Sequence, residues 1–405
     1  MRSVTRIRGG AEPSGATAVA DLGHAIGGKR IRRLLLLAVL GAMASGLLAS
    51  LSDARAPSDR YIVVFKDRVD RPGTVAGEHS RRYGATERFV YRHALSGYAA
   101  RIPRERVASV REDSRVDYVE RDGTVSTTAQ TLPWGINRID ADVSSTRAGD
   151  GVGAVSGVNA YVIDTGIYRT HGDLSVVGHV NFAGGKNRDC NGHGTHVAGT
   201  VAARDNAQDV VGAAPGAPLT GVKVLGCSGS GKTSGVIKGI DWVTANANKP
   251  AVANMSLGGG PSTALDDAVK RSANSGVFYS IAAGNEAANA CNSSPARAGT
   301  HSGVATTAAT NSSNAETSWS NYGSCVDIWA PGASILSTRR GGGTTTMSGT
   351  SMAAPHVGGT GALYLSGNAG ATAATVESAI KQNAASPGTK SKDGRSISLD
   401  YAGNF

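Results

Sequence analysis

Aromatic side chains are scarce in this chain of 405 residues, at 5%, whereas glycine occurs 55 times. This combination favours tight turns and close packing of backbone segments, because glycine has no side chain to hold two segments apart. The length is too great for one small domain and predicts two or three folded units.

An excess of charge of either sign is also lacking over most of the chain, because basic and acidic residues nearly balance there. The formal net charge is +10, but residues 127–405 hold 19 basic and 17 acidic side chains, a net of +2, whereas residues 1–126 hold 22 and 14, a net of +8. A domain that binds nucleic acid would concentrate positive charge on its folded body. The sequence therefore predicts no nucleic-acid partner.

An uncharged apolar run extends from Leu34 to Leu51 and follows four basic residues, Lys29, Arg30, Arg32 and Arg33. A basic segment before an apolar one is typical of a secretory signal, so we expect residues 1–56 to be a signal region and the protein to be secreted. The run is nearly long enough to span a bilayer, so an uncleaved membrane anchor is an alternative. We expect cleavage within 46–56, and residues 1–28 are unusually long for a basic leader.

A small α+β unit is predicted for residues 57–126. Tyr61–Phe65, Gly97–Ile102 and Val116–Glu120 read as strands, the first of them rich in β-branched and aromatic residues. Arg104–Asp113 lies between the last two and has apolar residues at helical spacing. The position of this unit after a signal region favours a removable pro-domain over an accessory domain.

Strand and helix patterns alternate in residues 127–405, which predicts an α/β domain around a parallel sheet. The strand candidates are Val158–Ile163, Leu219–Leu225, Val252–Leu257 and Val277–Ala283. The helix candidates are His193–Ala203, Ser234–Ala247, Ala264–Ser275 and Ser351–Ser366. Asp164 follows a strand, and His193 and Ser351 begin helices. Because strand ends and helix starts meet at one edge of such a sheet, we expect these three side chains to lie together.

Each of these three residues also has an ordinary structural interpretation. A serine before a helix is more often an N-cap, and an aspartate before Thr-Gly is more often a turn residue. The segment after Ser351 predicts a helix with Pro355 in its first turn.

A metal-site interpretation of His193 and His196 fails, because the HExxH glutamate and its i,i+4 spacing are absent. His196 and His356 are instead predicted to be packed, hydrogen-bonded structural histidines.

Three segments together resemble the subtilisin superfamily of serine peptidases, especially the branch with proteinase K and aqualysin. They are Tyr-Val-Ile-Asp-Thr-Gly at 161–166, Asn-Gly-His-Gly-Thr-His-Val-Ala-Gly-Thr at 191–200 and Gly-Thr-Ser-Met-Ala-Ala-Pro-His-Val at 349–357. Their order, aspartate then histidine then serine, is that of the family. The resemblance extends from about residue 60 to the C-terminus. It implies a three-layer fold with a mostly parallel central sheet, preceded by an inhibitory pro-domain that chaperones folding.

The resemblance implies a role for each catalytic residue. Ser351 would be the nucleophile, and His193 would be the base that a weakly nucleophilic hydroxyl requires. Asp164 would orient His193 and stabilise its charged form. Asn285, in Ala-Ala-Gly-Asn, would donate its side-chain amide to the oxyanion beside the backbone N–H of Ser351.

Backbone-rich segments resemble the family's substrate cleft. The implied binding residues are Ser256, Leu257, Gly258, Gly229, Ser230, Gly231, Ala282, Ala283 and Gly284. Pairing through main-chain hydrogen bonds demands little of the substrate sequence. Neither 256–258 nor 282–284 contains an acidic residue that would select lysine or arginine. We therefore expect broad specificity with a preference for apolar or aromatic residues before the cut.

The four cysteines allow three disulfide pairings, and a secreted protein would form two bridges. The resemblance to bacterial proteinase K-like enzymes implies the pairs Cys190–Cys227 and Cys291–Cys325. A thiol protease is excluded, because no cysteine lies in a nucleophile segment.

A structural calcium ion is also implied by the resemblance. Asp327 matches the position that gives a carboxylate to that ion, with backbone carbonyls near 302–304 as the other ligands. Two further family sites look weakened, because only Asp189 remains of a carboxylate-rich run and the domain start matches only partly. The partial matches at the domain start are Asn137, Asp140 and Ala141.

These features predict a secreted, monomeric serine endopeptidase that acts on protein and peptide substrates through an acyl-enzyme, without a cofactor for catalysis. Its pro-domain is the predicted intramolecular inhibitor, and self-cleavage is expected near 126–127. Two alternatives are a catalytically inactive binding protein on the same scaffold and a membrane-anchored processing protease of narrow specificity.

Overall fold

A computed structural model describes residues 58–66, 69–123 and 130–405. The predicted signal region and the predicted cleavage segment near 126–127 lie outside the described residues. The chain divides into two compact units, Met1–Val125 and Ser126–Phe405. Among the described residues, no helix has the length and apolar character needed to cross a membrane.

The N-terminal unit is a four-stranded antiparallel sheet with helices. The sheet has the order β2-β3-β1-β4. Its elements are β1 (Ser58–Phe65), α1 (Pro72–Tyr83), β2 (Thr86–Tyr91), β3 (Gly97–Pro103), α2 (Val107–Arg111) and β4 (Val116–Arg121), with a 3-10 turn at Arg104–Arg106. Alternate strand residues such as Val63, Tyr98 and Ile102 are buried against the helices.

The C-terminal unit is built on seven parallel strands in the order β11-β10-β9-β8-β5-β7-β6. These are β5 (Asn159–Asp164), β6 (Val176–Asn181), β7 (Leu219–Lys223), β8 (Ala251–Met255), β9 (Val277–Ala282), β10 (Val304–Thr310) and β11 (Ile328–Pro331). An antiparallel hairpin follows, with strands β12 (Ile335–Thr338) and β13 (Thr344–Met347).

Helices cover both faces of this sheet. They are α3 (Trp134–Arg138), α4 (His193–Ala202), α5 (Thr233–Asn246), α6 (Thr263–Asn274), α7 (Thr350–Gly367) and α8 (Ala373–Asn383), with 3-10 turns at Ala141–Val143, Ala290–Asn292 and Ala296–Thr300. Ala160 and Val162 of β5 pack in one core with α4, α7 and α8, whereas Tyr161 and Ile163 pack in the other with α5 and α6. The predicted three-layer α/β fold is confirmed.

Helix α7 is buried on nearly all sides, because small residues let neighbouring backbones approach. A Cβ at Gly359 would lie 2.6 Å from the Cβ of Ala213. Pro355 was expected in the first turn of this helix, but α7 begins at Thr350 and Pro355 is its sixth residue. Proline has no N–H to give to the carbonyl four residues earlier. That carbonyl, on Ser351, instead accepts a hydrogen bond from Ser256 Oγ at 2.7 Å.

Candidate active site

The carboxyl end of the central strand holds Asp164 against His193. Asp164 is the last residue of β5 and is fully buried, and His193 is the first residue of α4. Nδ1 of His193 lies 2.8 and 2.9 Å from the two carboxylate oxygens of Asp164. The backbone N–H of Thr165 also donates to Asp164 Oδ1, at 2.6 Å. The carboxylate is therefore held in one orientation.

This contact changes the basicity of the imidazole. Burial lowers the pKa of His193, but the charge and hydrogen bond of Asp164 oppose burial and prevail, so the pKa lies above the ordinary histidine value. An imidazole held by a carboxylate on Nδ1 presents Nε2 as the basic nitrogen. The arrangement can accept a proton from a neighbouring hydroxyl.

Ser351 lies in the same cleft as His193. It is the second residue of α7, where backbone N–H groups have no partner within the helix. Its hydroxyl donates to the carbonyl of Ser256 at 3.2 Å. Within the described part of the chain, His193 is not among the hydrogen-bond partners of Ser351, so the hydroxyl must rotate before the imidazole can accept its proton.

Asn285 lies beside the start of α7. Its Oδ1 accepts hydrogen bonds from the backbone N–H and the hydroxyl of Thr350, at 2.8 and 3.1 Å. Because Oδ1 is occupied in this way, the NH₂ group is the free end of the amide. Asn285 and Ser351 line one cavity. The side-chain amide and the helix start can therefore donate to an oxygen that becomes negatively charged.

The predicted binding residues line two neighbouring cavities that share 257–260 and Ser351. The cavity that includes His193 contains Gly229, Ser230, Gly231, Ser256, Leu257 and Gly258. The cavity that includes Asn285 contains Leu257, Gly258, Ala282, Ala283 and Gly284. The structure therefore places all nine predicted residues around the candidate nucleophile.

Glu286 lines the second cavity and was missed from the sequence. Its carboxylate accepts a hydrogen bond from Asn321 Nδ2 at 2.8 Å, and the residue is exposed. Its position directly after Asn285 is the available signal in the sequence, and it lies just outside the segments 256–258 and 282–284. The cavity is thus lined by glycine, alanine and leucine together with polar residues, one of which, Glu286, is acidic.

Both predicted disulfides are present, Cys190–Cys227 and Cys291–Cys325, and no free cysteine remains. The first bridge ties the segment before His193 to the strand-following loop that contains Gly229.

His196 and His356 are structural, as expected. Both side chains are fully buried, and burial lowers the pKa of each to about 4. Nε2 of His196 contacts the carbonyl of Ile335 at 3.0 Å, and Nδ1 of His356 contacts the carbonyl of Met352 at 2.9 Å.

The surroundings of Asp327 do not fit a calcium ion. Its Oδ1 is paired with the ammonium of Lys381 at 3.0 Å, and its Oδ2 accepts the N–H of Thr306 at 2.9 Å. The same ammonium contacts Glu377 at 3.1 Å, and Glu377 also accepts the N–H of Gly303 at 2.6 Å. Across the described residues, no three His, Cys, Asp or Glu side chains gather as a metal site.

A different group of oxygen-bearing residues surrounds Asp173 and was not predicted from the sequence. Asp173 is fully buried, and its carboxylate contacts Asn206 Nδ2 at 2.8 Å and the N–H of Val210 at 3.2 Å. The Gln130 amide contacts the carbonyls of Arg204 and Val210 at 2.8 and 3.3 Å. Burial raises the pKa of Asp173 to about 6.

Each amide in this group can present its oxygen instead of its nitrogen after a half-turn. Carboxylate, amide and carbonyl oxygens are the ligands that calcium prefers. The group consists of Gln130, Asp173, Asn206 and the carbonyls of Arg204 and Val210. Because these residues lie far apart in sequence and only one of them is a carboxylate, no local acidic run reveals the group.

Comparison with known proteins gives matches over both units. The Subtilase family matches residues 156–401, and Peptidase inhibitor I9 matches residues 60–128. Alkaline serine exoprotease A of Vibrio alginolyticus is 44% identical over 365 residues, which cover 82% of this chain and 65% of the relative. The chain thus spans just under two thirds of that relative's length.

An extracellular serine proteinase of Thermus sp. (strain Rt41A) is 42% identical over 368 residues, covering 82% of this chain and 86% of the relative. Among solved structures, that of a cold adapted subtilisin-like serine proteinase superposes with a TM-score of 0.59 and 43% identity. It covers 67% of this chain and 98% of the other chain.

Proposed function

Because this chain belongs to the subtilase family of serine proteases and carries an I9 inhibitor domain, we propose that it is a secreted endopeptidase with an Asp164–His193–Ser351 triad. The observation that carries this proposal is the paired contact of His193 Nδ1 with both oxygens of Asp164, in the cleft that also contains Ser351. Secretion is part of the proposal, and it is supported by the similarity to an extracellular relative.

The reaction follows from the positions of these groups. Ser351 Oγ attacks the carbonyl carbon of the scissile peptide bond while His193 takes its proton, and Asp164 stabilises the resulting imidazolium. The negative oxygen accepts hydrogen bonds from the backbone N–H of Ser351 and from Asn285 Nδ2. His193 then gives the proton to the leaving amine, and water releases the acyl group by the same steps in reverse.

The cavity beside Asn285 supports a preference for apolar residues before the cut. Small and apolar residues, among them Leu257, Ala282 and Ala283, line it and leave room for an apolar side chain. Glu286 adds a single carboxylate that can accept a basic side chain. We therefore propose broad specificity, with apolar residues preferred and lysine or arginine tolerated.

Maturation by self-cleavage is the next element of the proposal. The I9 match supports an inhibitory pro-domain in residues 57–126. A bond near 126–127 held at its own active site would be cut at a high effective concentration, independent of dilution. The released domain would remain bound as an inhibitor of the monomeric enzyme until it is degraded.

A structural calcium ion is proposed at the Asp173 group. Asp173, Asn206 and Gln130 would hold the ion together with the carbonyls of Arg204 and Val210. The buried carboxylate supports this choice, because no lysine or arginine is paired with it in the described part of the chain. Binding of the ion only to the folded state would stabilise the fold.

Labelling with an organophosphate probe tests the catalytic proposal. We expect one labelled residue, Ser351, identified by peptide mass spectrometry of protein collected from the culture medium. Ser351→Ala should abolish labelling and should accumulate as the uncleaved chain from the signal cut to residue 405. Ser262→Ala is the matched control, because Ser262 directly precedes α6, caps it through its hydroxyl, and should not react. Labelling that persists in Ser351→Ala, or its absence from the native protein, contradicts the proposal.

A further inference from the structure

Asp189 is a second buried carboxylate close to the catalytic pair. It lies four residues before His193 and is 2% exposed. Its Oδ1 accepts the backbone N–H groups of Asn191 and Gly192, both at 2.9 Å. Its Oδ2 accepts the N–H and the hydroxyl of Thr195, at 3.1 and 2.5 Å. These donors surround the start of α4, where N–H groups otherwise have no partner. The carboxylate therefore fixes the helix start that carries His193.

The same carboxylate also reaches the turn that carries Asp164. Thr165 Oγ1 donates to Asp189 Oδ1 at 3.0 Å and accepts the N–H of Gly194 at 2.9 Å. Thr165 also gives its own N–H to Asp164 Oδ1. One carboxylate thus joins the end of β5 to the start of α4. The two segments are so close that a Cβ on Gly194 would lie 2.2 Å from the carbonyl oxygen of Gly166.

The charge of Asp189 acts on the imidazole as well. Its negative charge raises the pKa of His193, in addition to the larger effect of Asp164. The buried ammonium of Lys223, on neighbouring β7, donates to the carbonyls of Thr165 and Leu225 at 2.8 and 2.6 Å. Four other titratable groups interact electrostatically with His193, with Asp189 or with one another. They are Asp164, Lys223, His179 and His196.

We propose that Asp189 is a positioning residue for the catalytic pair. It holds the turn after Asp164 and the helix start at His193 in one geometry, and its charge favours the imidazolium that forms during the reaction. This inference rests on the proposed triad. The bridge also accounts for Asp189 without a metal, because all five of its contacts are N–H or O–H donors.

Asp189→Asn tests the proposal. The change keeps the shape of the side chain but removes the charge and places an NH₂ group against N–H donors. We expect kcat to fall by about 10- to 100-fold, because small displacements of catalytic groups have costs of this size. KM should change less than twofold. The acidic limb of the pH profile of kcat/KM should move to lower pH, because the imidazolium loses a neighbouring negative charge. Active-site titration with the organophosphate gives the concentration of competent enzyme.

Thr165→Val separates geometry from charge. It breaks the bridge between Asp189 and the Asp164 turn but leaves the charge of Asp189, so kcat should fall while the acidic limb stays in place. If Asp189→Asn does not accumulate, this variant decides the question, and an unchanged kcat in Thr165→Val overturns the proposal.

Asp205→Asn is the matched control for loss of a buried carboxylate. Asp205 accepts the N–H groups of Gly149, Gly151 and Gly153, at 2.9, 2.9 and 3.2 Å, in a loop without contact to the triad. In calcium-containing buffer it should lower Tm but leave kcat and the acidic limb unchanged. If Asp189→Asn behaves in the same way, Asp189 only stabilises the fold and the proposal is wrong. A wild-type enzyme that takes no label would instead contradict the proposed triad.

Discussion

Each unit of this protein pairs a histidine with an aspartate, yet the two pairs differ in what else the aspartate binds. In the C-terminal unit, His193 contacts Asp164 at 2.8 Å, and the other described donor to that carboxylate is the N–H of Thr165. In the N-terminal unit, Nε2 of His79 contacts Asp113 Oδ2 at 3.1 Å.

Asp113 is shared with a stronger cation. The Arg115 guanidinium contacts both of its oxygens, at 2.9 and 2.8 Å, and holds the pKa of that carboxyl well below its usual range. The other nitrogen of His79 contacts Tyr98 Oη at 2.8 Å inside the core. Burial lowers the pKa of His79, and Asp113 does not overcome this effect. For His193, the carboxylate prevails over burial and the pKa rises.

A histidine–aspartate pair therefore does not define a catalytic base. The carboxylate must not be paired with a second cation that weakens its effect on the imidazole. The second ring nitrogen must also face a cleft rather than a hydroxyl in the core. Only the pair in the C-terminal unit meets both conditions.

The largest expected effect comes from removing the charge of each aspartate in turn. Asp164→Asn should lower kcat on a chromogenic peptide by about 10⁴-fold, because the amide no longer fixes the correct tautomer of the imidazole. Asp113→Asn should leave kcat of the mature enzyme unchanged, because the proposed maturation removes the unit that contains Asp113. An equal loss of kcat in both variants would contradict the distinction between the two pairs.

Much of the fold and the placement of the three candidate catalytic residues could be predicted from the sequence, because both depend on local sequence patterns. Buried parallel strands are short apolar runs, and Asp164, His193 and Ser351 lie in segments whose residues are adjacent in the chain. Their meeting point follows from the topology of a parallel sheet.

What could not be predicted depends on contacts between distant residues. The carbonyl freed by Pro355 is satisfied by Ser256, and the charge of Asp327 is balanced by Lys381. The bridge made by Asp189 reaches back to Thr165. No periodicity reports such partners, since each depends on how loops and helix ends meet in three dimensions.

Asp327 and Asp173, the two candidate calcium ligands, also differ in what their carboxylates contact. Asp327 is paired with an ammonium, whereas Asp173 is buried among amides and carbonyls. In the uncleaved Ser351→Ala chain, a chelator should lower Tm, because an ion at 100 times its Kd stabilises the fold by about 2.7 kcal/mol. Asp173→Asn should remove the chelator effect.

Asp327→Asn is the matched control for the calcium experiment. It should lower Tm but leave the chelator effect in place, because the ammonium of Lys381 already neutralises that carboxylate. A chelator effect that survives Asp173→Asn and disappears in Asp327→Asn would place the ion at Asp327 instead.

A smaller effect is expected from the pH dependence of the N-terminal unit. The pKa of His79 is below its ordinary value of 6.5 in the folded state, so the unfolded chain binds more protons between the two values. The contribution of neutral His79 to the free energy of unfolding is therefore fully present above about pH 6.5. It is lost as the pH falls through the folded pKa. Protection of β3 amides from hydrogen exchange, measured in the Ser351→Ala chain, should fall between pH 7.5 and 5.5.

His79→Gln should weaken that pH dependence, whereas His93→Gln should not, because His93 is exposed. The neighbouring groups Glu78, Asp113 and Arg115 also act on His79. The folded pKa of Asp113 is itself lowered, so its contribution is lost only at more acidic pH. Protection that is constant over this range in the parent chain would show that burial of His79 does not govern stability.

The smallest effect is expected at Glu286, a carboxylate whose partner is a neutral amide. Because Asn321 does not cancel its charge, Glu286 can attract a basic side chain in the cavity beside Asn285. The residue is exposed, and exposed ion pairs contribute about 0.2–1 kcal/mol, so Glu286→Gln should lower kcat/KM for a peptide with lysine before the cut by about 1.4-fold to fivefold. The value for the matching leucine peptide should be unchanged, and added salt should shrink the difference between the two enzymes. The partly exposed acid Asp267, on α6, gives the control substitution Asp267→Asn, which should alter neither peptide's kcat/KM. If the lysine and leucine peptides lose activity equally in Glu286→Gln, the carboxylate supports the cavity wall and does not select substrates.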